Sequence, residues 1–359
     1  MSISKISTNL KSQKLWSVDL KQKNLIIGDS ASGKSAITQA LELAVSARLS
    51  DMQGRQDSAQ RTVQKTVTSA DELQVIALTE GPSVSDHVLG YRVVREAVTS
   101  SGMSALIQLV GHQLHEDLRV KITEYQAFEK AARAASSEVK ELERTRDRIE
   151  AWEGIPAELR VQMSERIVAA SGEVDKAKAS ADALQTLLWP ELTMQVQALV
   201  REAQLYVPTK LGHIIIDTGN PQSPKCIVGL VHDELSNTVR YGLSGAEWNI
   251  CLTALACALD TDGSSLIIPD DRAISRELLQ QWLKLLGNAQ SQIVLTCVEP
   301  PDSVPSGWNA VRVTEPGKVS QWQPKVLRSL RVAVSSSKVK RPSKTQPKRG
   351  ASRKRTSTR

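Results

Sequence analysis

The chain has 359 residues, 40% of them hydrophobic, with a formal net charge of +7 and only 3% aromatic side chains. That length can bury a substantial core in one large or two modest domains, and the shortage of aromatics leaves its filling to aliphatic side chains. Nothing in it reads as a secretory leader or as eighteen consecutive apolar residues, so export and membrane spanning are not expected and the site of action is predicted to be soluble and intracellular.

The N-terminal segment predicts a strand near KLWSVDL, then the strand LII, the stretch GDSASGKS at residues 28–35, and a helix from AITQALELAVSA through roughly Arg48. Gly28, four residues, Gly33, Lys34 and Ser35 fit the spacing of a phosphate-binding loop, and the required strand before and helix after are both present. Glycines allow the tight backbone path that turns several N–H groups toward a polyphosphate, while the helix N-terminus aims its positive dipole end at the same place. The predicted nucleotide-binding set is Gly28, Asp29, Ser30, Ala31, Ser32, Gly33, Lys34 and Ser35. Lys34 would reach the β- and γ-phosphates, and the Ser35 hydroxyl would face the accompanying Mg2+. The alternative is an ordinary strand-to-helix turn in which Ser32 caps a helix.

Residues 50–70, rich in Gln, Ser and Thr, predict a surface loop before a strand at LQVIALT. From Leu118 to Trp152 the apolar residues Leu118, Ile122, Tyr125, Val139, Leu142, Ile149 and Trp152 recur mostly every three or four positions. EGIP breaks the run. A second one carries Leu159, Met163, Ile167, Ala170, Val174, Ala177, Ala181, Leu184 and Leu188 and is expected to stop at Pro190. These are two amphipathic helices of an antiparallel hairpin, each arm of about thirty residues extending on the order of 45 Å, too long for the body of a nucleotide-binding domain.

Strands return at HIIID, KCIVGLV and TVRYGL, followed by SGAEWNICLTALACAL, a helix apolar on nearly every side and therefore buried. SLII then ends in Pro269, Asp270 and Asp271, and a helix at RELLQQWLKLL precedes the strands IVLTCV and AVRVTE. The reading is one α/β nucleotide-binding head split by an inserted hairpin. Its boundaries are 1–117 for the N-terminal part, 118–205 for the hairpin, 206–325 for the C-terminal part and 326–359 for a tail. Cys226, Cys251, Cys257 and Cys297 lack CxxC spacing and sit in apolar stretches, as reduced core residues do.

The positive charge belongs to the tail. Residues 338–359 hold ten Lys or Arg and no acid, and the remainder carries 36 basic against 39 acidic residues, a net of −3. Without large apolar side chains this segment cannot repay the entropy of folding and is predicted to be disordered. A single-sign run of this kind suits sequence-independent binding of nucleic-acid phosphates. The alternatives are a solubility tail, or a nuclear address in a eukaryotic host.

Two further stretches give the loop something to work with. An apolar strand ending in SLIIPDD would place Asp270 beside magnesium and Asp271 where it can polarise an attacking water; the alternative is a terminal Asp capping the next helix. YGLSGAE combines a hydroxyl, Ser244, with the amides of a helix start at Gly245, which suits a γ-phosphate held by another subunit. Ser244-x-x-Glu247 is equally a helix capping box.

In order and content the chain resembles the ABC-type head ATPases of the SMC and RecF group, including the ATPase subunit of the double-strand-break repair nuclease. NLIIGDSASGKSAITQALE looks like their nucleotide loop and first helix, YGLSGAEWNICLTALACAL like their signature helix, and LIIPDD like their Walker B strand. The resemblance implies a P-loop NTPase head of ABC/SMC type that dimerises around two ATP molecules. Each would lie between the phosphate loop of one subunit and Ser244 and Gly245 of the other. It implies ATP and Mg2+ as ligands, with Ser35 and Asp270 on the metal and Asp271 catalytic. It further implies DNA as partner, a role in recombination, repair or end handling beside a nuclease or loader, and a cytoplasmic, nucleoid-associated location, or a nuclear one in a eukaryote.

The departures are specific. Asp271 stands where SMC and repair-nuclease members carry Glu, Ala246 replaces the second signature glycine, and Thr296 and Cys297 occupy the place of the histidine of transporter relatives. All but the second are closer to RecF. Gln108 and Gln113 are candidates, by position, for the family's metal-contacting glutamine, and the hairpin lacks the repair ATPase's CxxC hook. A nonenzymatic nucleotide-gated DNA scaffold is the leading alternative, and a packaging motor or small-molecule kinase a more distant one.

Overall fold

A computed structural model describes residues 2–10, 12, 14–46, 75–80, 88–151, 156–232 and 238–323. The expected loop at 50–70, residues 153–155 of the EGIP turn and the basic tail lie outside these residues. The described fold is mixed α/β, and its centre is the strand β3 (Lys23–Ile27), buried at all five positions. Leu25 and Ile27 face one hydrophobic cluster and Ile26 the other, so both sides of this strand are covered, which is what a near-continuous apolar run requires.

Around β3 stands a six-stranded sheet. β11 (Trp308–Glu315) and β10 (Gln292–Cys297) flank β3 in parallel, β9 (Ser265–Ile267) and β5 (Val88–Leu89) continue beyond β10, and β12 (Lys318–Gln321) adds an antiparallel edge beside β11. One face is covered by helix α1 (Lys34–Ser46) and by a three-stranded antiparallel sheet of β2 (Trp16–Asp19), β1 (Ser2–Thr8) and β4 (Val75–Glu80). The other face holds α2 (Gly90–Thr99), α3 (Gly102–Val110), α6 (Gly245–Leu259) and α7 (Arg276–Leu286). A second antiparallel sheet pairs β6 (His213–Asn220), β7 (Ser223–Val231) and β8 (Val239–Arg240). Chain order is not sheet order: β10 lies between β3 and β9, so one strand separates the SLII strand from the loop strand.

The two long helices are α4 (Glu116–Glu150) and α5 (Ala157–Gln204), 35 and 48 residues, or about 52 and 72 Å at 1.5 Å per residue. They pack antiparallel: Tyr125 Oη donates to Gln185 Oε1 at 3.3 Å, and Ala132 and Ala181 line one cleft between them. The expected stop at Pro190 is wrong. α5 continues through it for fourteen more residues, because Leu192, Val196, Leu199 and Ala203 are buried in the head's larger cluster. An interior proline costs about 3 kcal/mol. Burying three large aliphatic side chains returns roughly 1.5–3 kcal/mol each, so packing overrides the local signal. α5 thus belongs to the hairpin at one end and to the head core at the other. No described helix is long and apolar enough to cross a membrane. All four cysteines are free and buried, with their thiols pushed up to about 12 by burial.

Candidate nucleotide site

β3 delivers its chain directly into the glycine loop. The Gly28 N–H donates to the Cys297 carbonyl at 3.1 Å, which ties the loop's first residue to the end of β10. A Cβ on Gly28 would overlap the Ser32 hydroxyl and the Val313 carbonyl, so no larger residue fits. Gly33 has φ +104°, a conformation that only glycine adopts cheaply, and Ala31 before it is also left-handed at φ 65°. Asp29, Ser30 and Ala31 are exposed at the rim, whereas Ser32, Gly33 and Lys34 are buried.

Lys34 is 4% exposed and opens α1. Its Nζ donates to the Gly28 carbonyl at 2.7 Å and to the Asp29 carbonyl at 3.0 Å. Across the loop, Asp271 Oδ2 lies 3.9 Å from the same Nζ, with the carboxylate 40% exposed. Residues 28–35 and 271, far apart in sequence, therefore meet at one point. That point lies beyond the carboxyl ends of β3, β10 and β9, where open α/β sheets hold their ligands.

Asp270 faces differently. Its carboxylate accepts from Arg95 Nη1 at 3.4 Å and lies 4.0 Å from Arg272 Nη2, with 10% exposure. Pro269 falls after β9's last residue, Ile267, so its missing N–H removes nothing from the sheet ladder. The donor chemistry suits a polyphosphate with magnesium. Ser32 Oγ is buried without a partner in the loop, and the Ser35 hydroxyl with the two carboxylates offers the hard oxygen donors that Mg2+ takes. Thr296 Oγ1, at the end of β10, is likewise buried and unpartnered.

Ser244 caps α6. Its Oγ accepts from the Glu247 N–H at 3.3 Å and Glu247 Oε2 accepts from the Ser244 N–H at 2.8 Å, a complete capping box. The Arg240 guanidinium forks onto Glu247 and, with the Ser244 bonds, holds that carboxyl down at about 2. Ser244 and Gly245 nevertheless remain exposed, so the capped helix start lies open at the surface. Gln108 accepts from the Ser100 hydroxyl at 3.0 Å, and Gln113 is exposed in the turn that follows α3.

Three residues around the acids escaped the sequence reading. Arg95 lies on α2, a helix the periodicity reading did not place at all, and Arg272 follows the acidic pair directly. Asn249 did leave a signal: an amide inside the apolar run of α6, where a buried polar group requires partners.

No family model and no curated protein matches the chain. Among solved structures it is similar to the Smc head domain with an extended coiled coil from Pyrococcus furiosus, there bound to the C-terminal domain of ScpA, at 10% identity and TM-score 0.46, covering 89% of this chain and 96% of that one. The Smc head domain with a coiled coil and joint from Pyrococcus yayanosii aligns at 9% identity and TM-score 0.46, covering 89% and 97%. The SMC head domain from Thermotoga maritima aligns at 10% identity and TM-score 0.33, covering 90% and 100%.

Proposed function

We propose that the chain is an ATP-binding, ATP-hydrolysing head that dimerises around ATP and acts on DNA in recombination, repair or end handling. The observation that carries this reading is the meeting of Lys34 with Asp271 at 3.9 Å above the sheet's carboxyl edge. A loop that only turned a strand into a helix would have no use for a second, distant segment bringing an acid to its lysine. In this reading Gly28–Ser35 cradle the polyphosphate, Lys34 neutralises it, Ser35 and Asp270 serve the metal, and Asp271 orients the attacking water. Magnesium, when bound, supplies charge neutralisation on the phosphate oxygens. The test is ATP turnover with and without DNA, measured alongside oligomeric state. Turnover coupled to an ATP-dependent dimer supports the head, ATP and DNA binding without turnover favours the nucleotide-gated scaffold, and a ring would point to a motor.

The exposed Ser244 gives the dimer a separate check. Ser244→Arg should leave ATP binding near normal but block ATP-dependent dimerisation, since a long cation at the start of α6 would meet the partner's nucleotide. Losing the cap costs about 1 kcal/mol, too little to unfold the chain. Size analysis with ATP decides it, and a dimer that still forms would reduce SGAE to a helix cap.

The DNA part of the proposal rests on the basic tail. Deleting residues 338–359 removes ten cations and should weaken DNA binding and flatten its salt dependence, while ATP binding survives. Unchanged affinity for duplex and single strands would move the nucleic-acid role to the head or remove it.

A further inference from the structure

We propose that Asn249 is a positioning residue that clamps the acidic pair to the helix beginning at Ser244, so that both functional segments of one chain move together. What the clamp positions rests on the nucleotide reading above. The clamp itself stands on geometry.

Asn249 is 2% exposed, and α6 is buried continuously from Asn249 to Cys257. Its Nδ2 donates to the Asp270 carbonyl at 2.8 Å, and its Oδ1 accepts from the Asp270 N–H at 3.1 Å. One side chain therefore bonds both backbone polar groups of a single residue, as a neighbouring strand would. Asp270 needs this, because it lies three residues past the end of β9 and follows a proline.

The consequence reaches the side chains. With the peptide groups on both sides of Asp270 fixed, its carboxylate is directed to Arg95 and that of the next residue, Asp271, toward Lys34. At the other end, Asn249 lies little more than one helical turn from Ser244. Arg272, which follows the acids, runs beside the same helix start, where a Cβ added to Gly245 would sit 3.6 Å from its Cδ. Any displacement of the α6 start is thus transmitted to the acids of the same chain through bonded groups. In a dimer where Ser244 touches the other subunit's nucleotide, this connects the two nucleotide sites.

The test uses the full chain and reads the clamp apart from the activity. In the unaltered protein the Asp270 amide should exchange with deuterium as slowly as the core amides of α6; exchange at the rate of a loop amide overturns the clamp. In Asn249→Ala, exchange of the segment 266–272 should rise at least about tenfold, the effect of losing two buried hydrogen bonds. The kcat for ATP should fall about 10–100-fold and by more than MgATP affinity, since Asp270 keeps its carboxylate for the metal. Asn249→Ser serves if the alanine variant is insoluble. Thr253→Val removes the hydroxyl that donates to the Asn249 backbone carbonyl at 2.7 Å but leaves the Asn249 side-chain amide in place, and should lower Tm without moving either readout. Unchanged exchange at 266–272 overturns the proposal, as does a fall of kcat, affinity and Tm together in proportion. Exchange that rises as expected in a chain that binds no ATP leaves the clamp standing and removes the nucleotide reading.

Discussion

Lys34→Ala should abolish nucleotide binding and leave the fold intact. The lysine is as buried as a core residue, yet its ammonium bonds two loop carbonyls and lies 3.9 Å from the Asp271 carboxylate. Truncation leaves those carbonyls short of a donor, a cost of about 1–3 kcal/mol that a domain stable by roughly 5–15 kcal/mol survives. For a polyphosphate the loss is of another order. The loop amides offer only partial charges, and Lys34 is the full positive charge at their centre. Without it an anionic ligand would also face the unscreened carboxylate of Asp271. Titration with a fluorescent ATP analogue, beside circular dichroism for the fold, makes the comparison, and equal affinity in variant and parent would end the phosphate-loop assignment.

How much of this was legible in the sequence depended on the range of the signal. GDSASGKS, the strand before it and the helix after it are local, and the structure forms them at β3, the loop and α1. The capping box of α6 is local too and forms as the spacing predicted. Pro190 misled because its cost is written in the sequence, whereas the burial of Leu192, Val196 and Leu199 that offsets it is a property of the assembled head. The meeting of Lys34 with Asp271 was expected from motif order but not its partition, in which Asp271 turns to the loop and Asp270 to Arg95. Nothing near Arg95 in sequence announces an acid 175 residues away. Asn249 stood in plain view as a polar residue in an apolar helix; what it bonds required the fold.

The acids themselves carry the other large expected effect. Asp271→Asn keeps the shape and most of the hydrogen-bonding capacity of the side chain but removes the charge that polarises water, so hydrolysis should fall by roughly the 10² to 10⁴-fold of a lost general base. ATP binding should persist, because Lys34 keeps its loop carbonyls and faces a neutral amide in place of a competing anion. The ATP-bound dimer should then accumulate and hold DNA longer than the parent does. Asp270→Asn should behave differently on two counts. It weakens magnesium-dependent binding itself. It also removes the charge that pairs with the Arg95 guanidinium in a largely buried ion pair, so thermal stability should drop where Asp271→Asn, altering a carboxylate already 40% open to water, barely moves it. Turnover, dimer lifetime and melting temperature measured on both variants separate the two roles. If the parent shows no turnover and Asp271→Asn changes neither dimer lifetime nor DNA retention, the hydrolytic reading fails, and the phosphate loop serves a chain that is gated by nucleotide without consuming it.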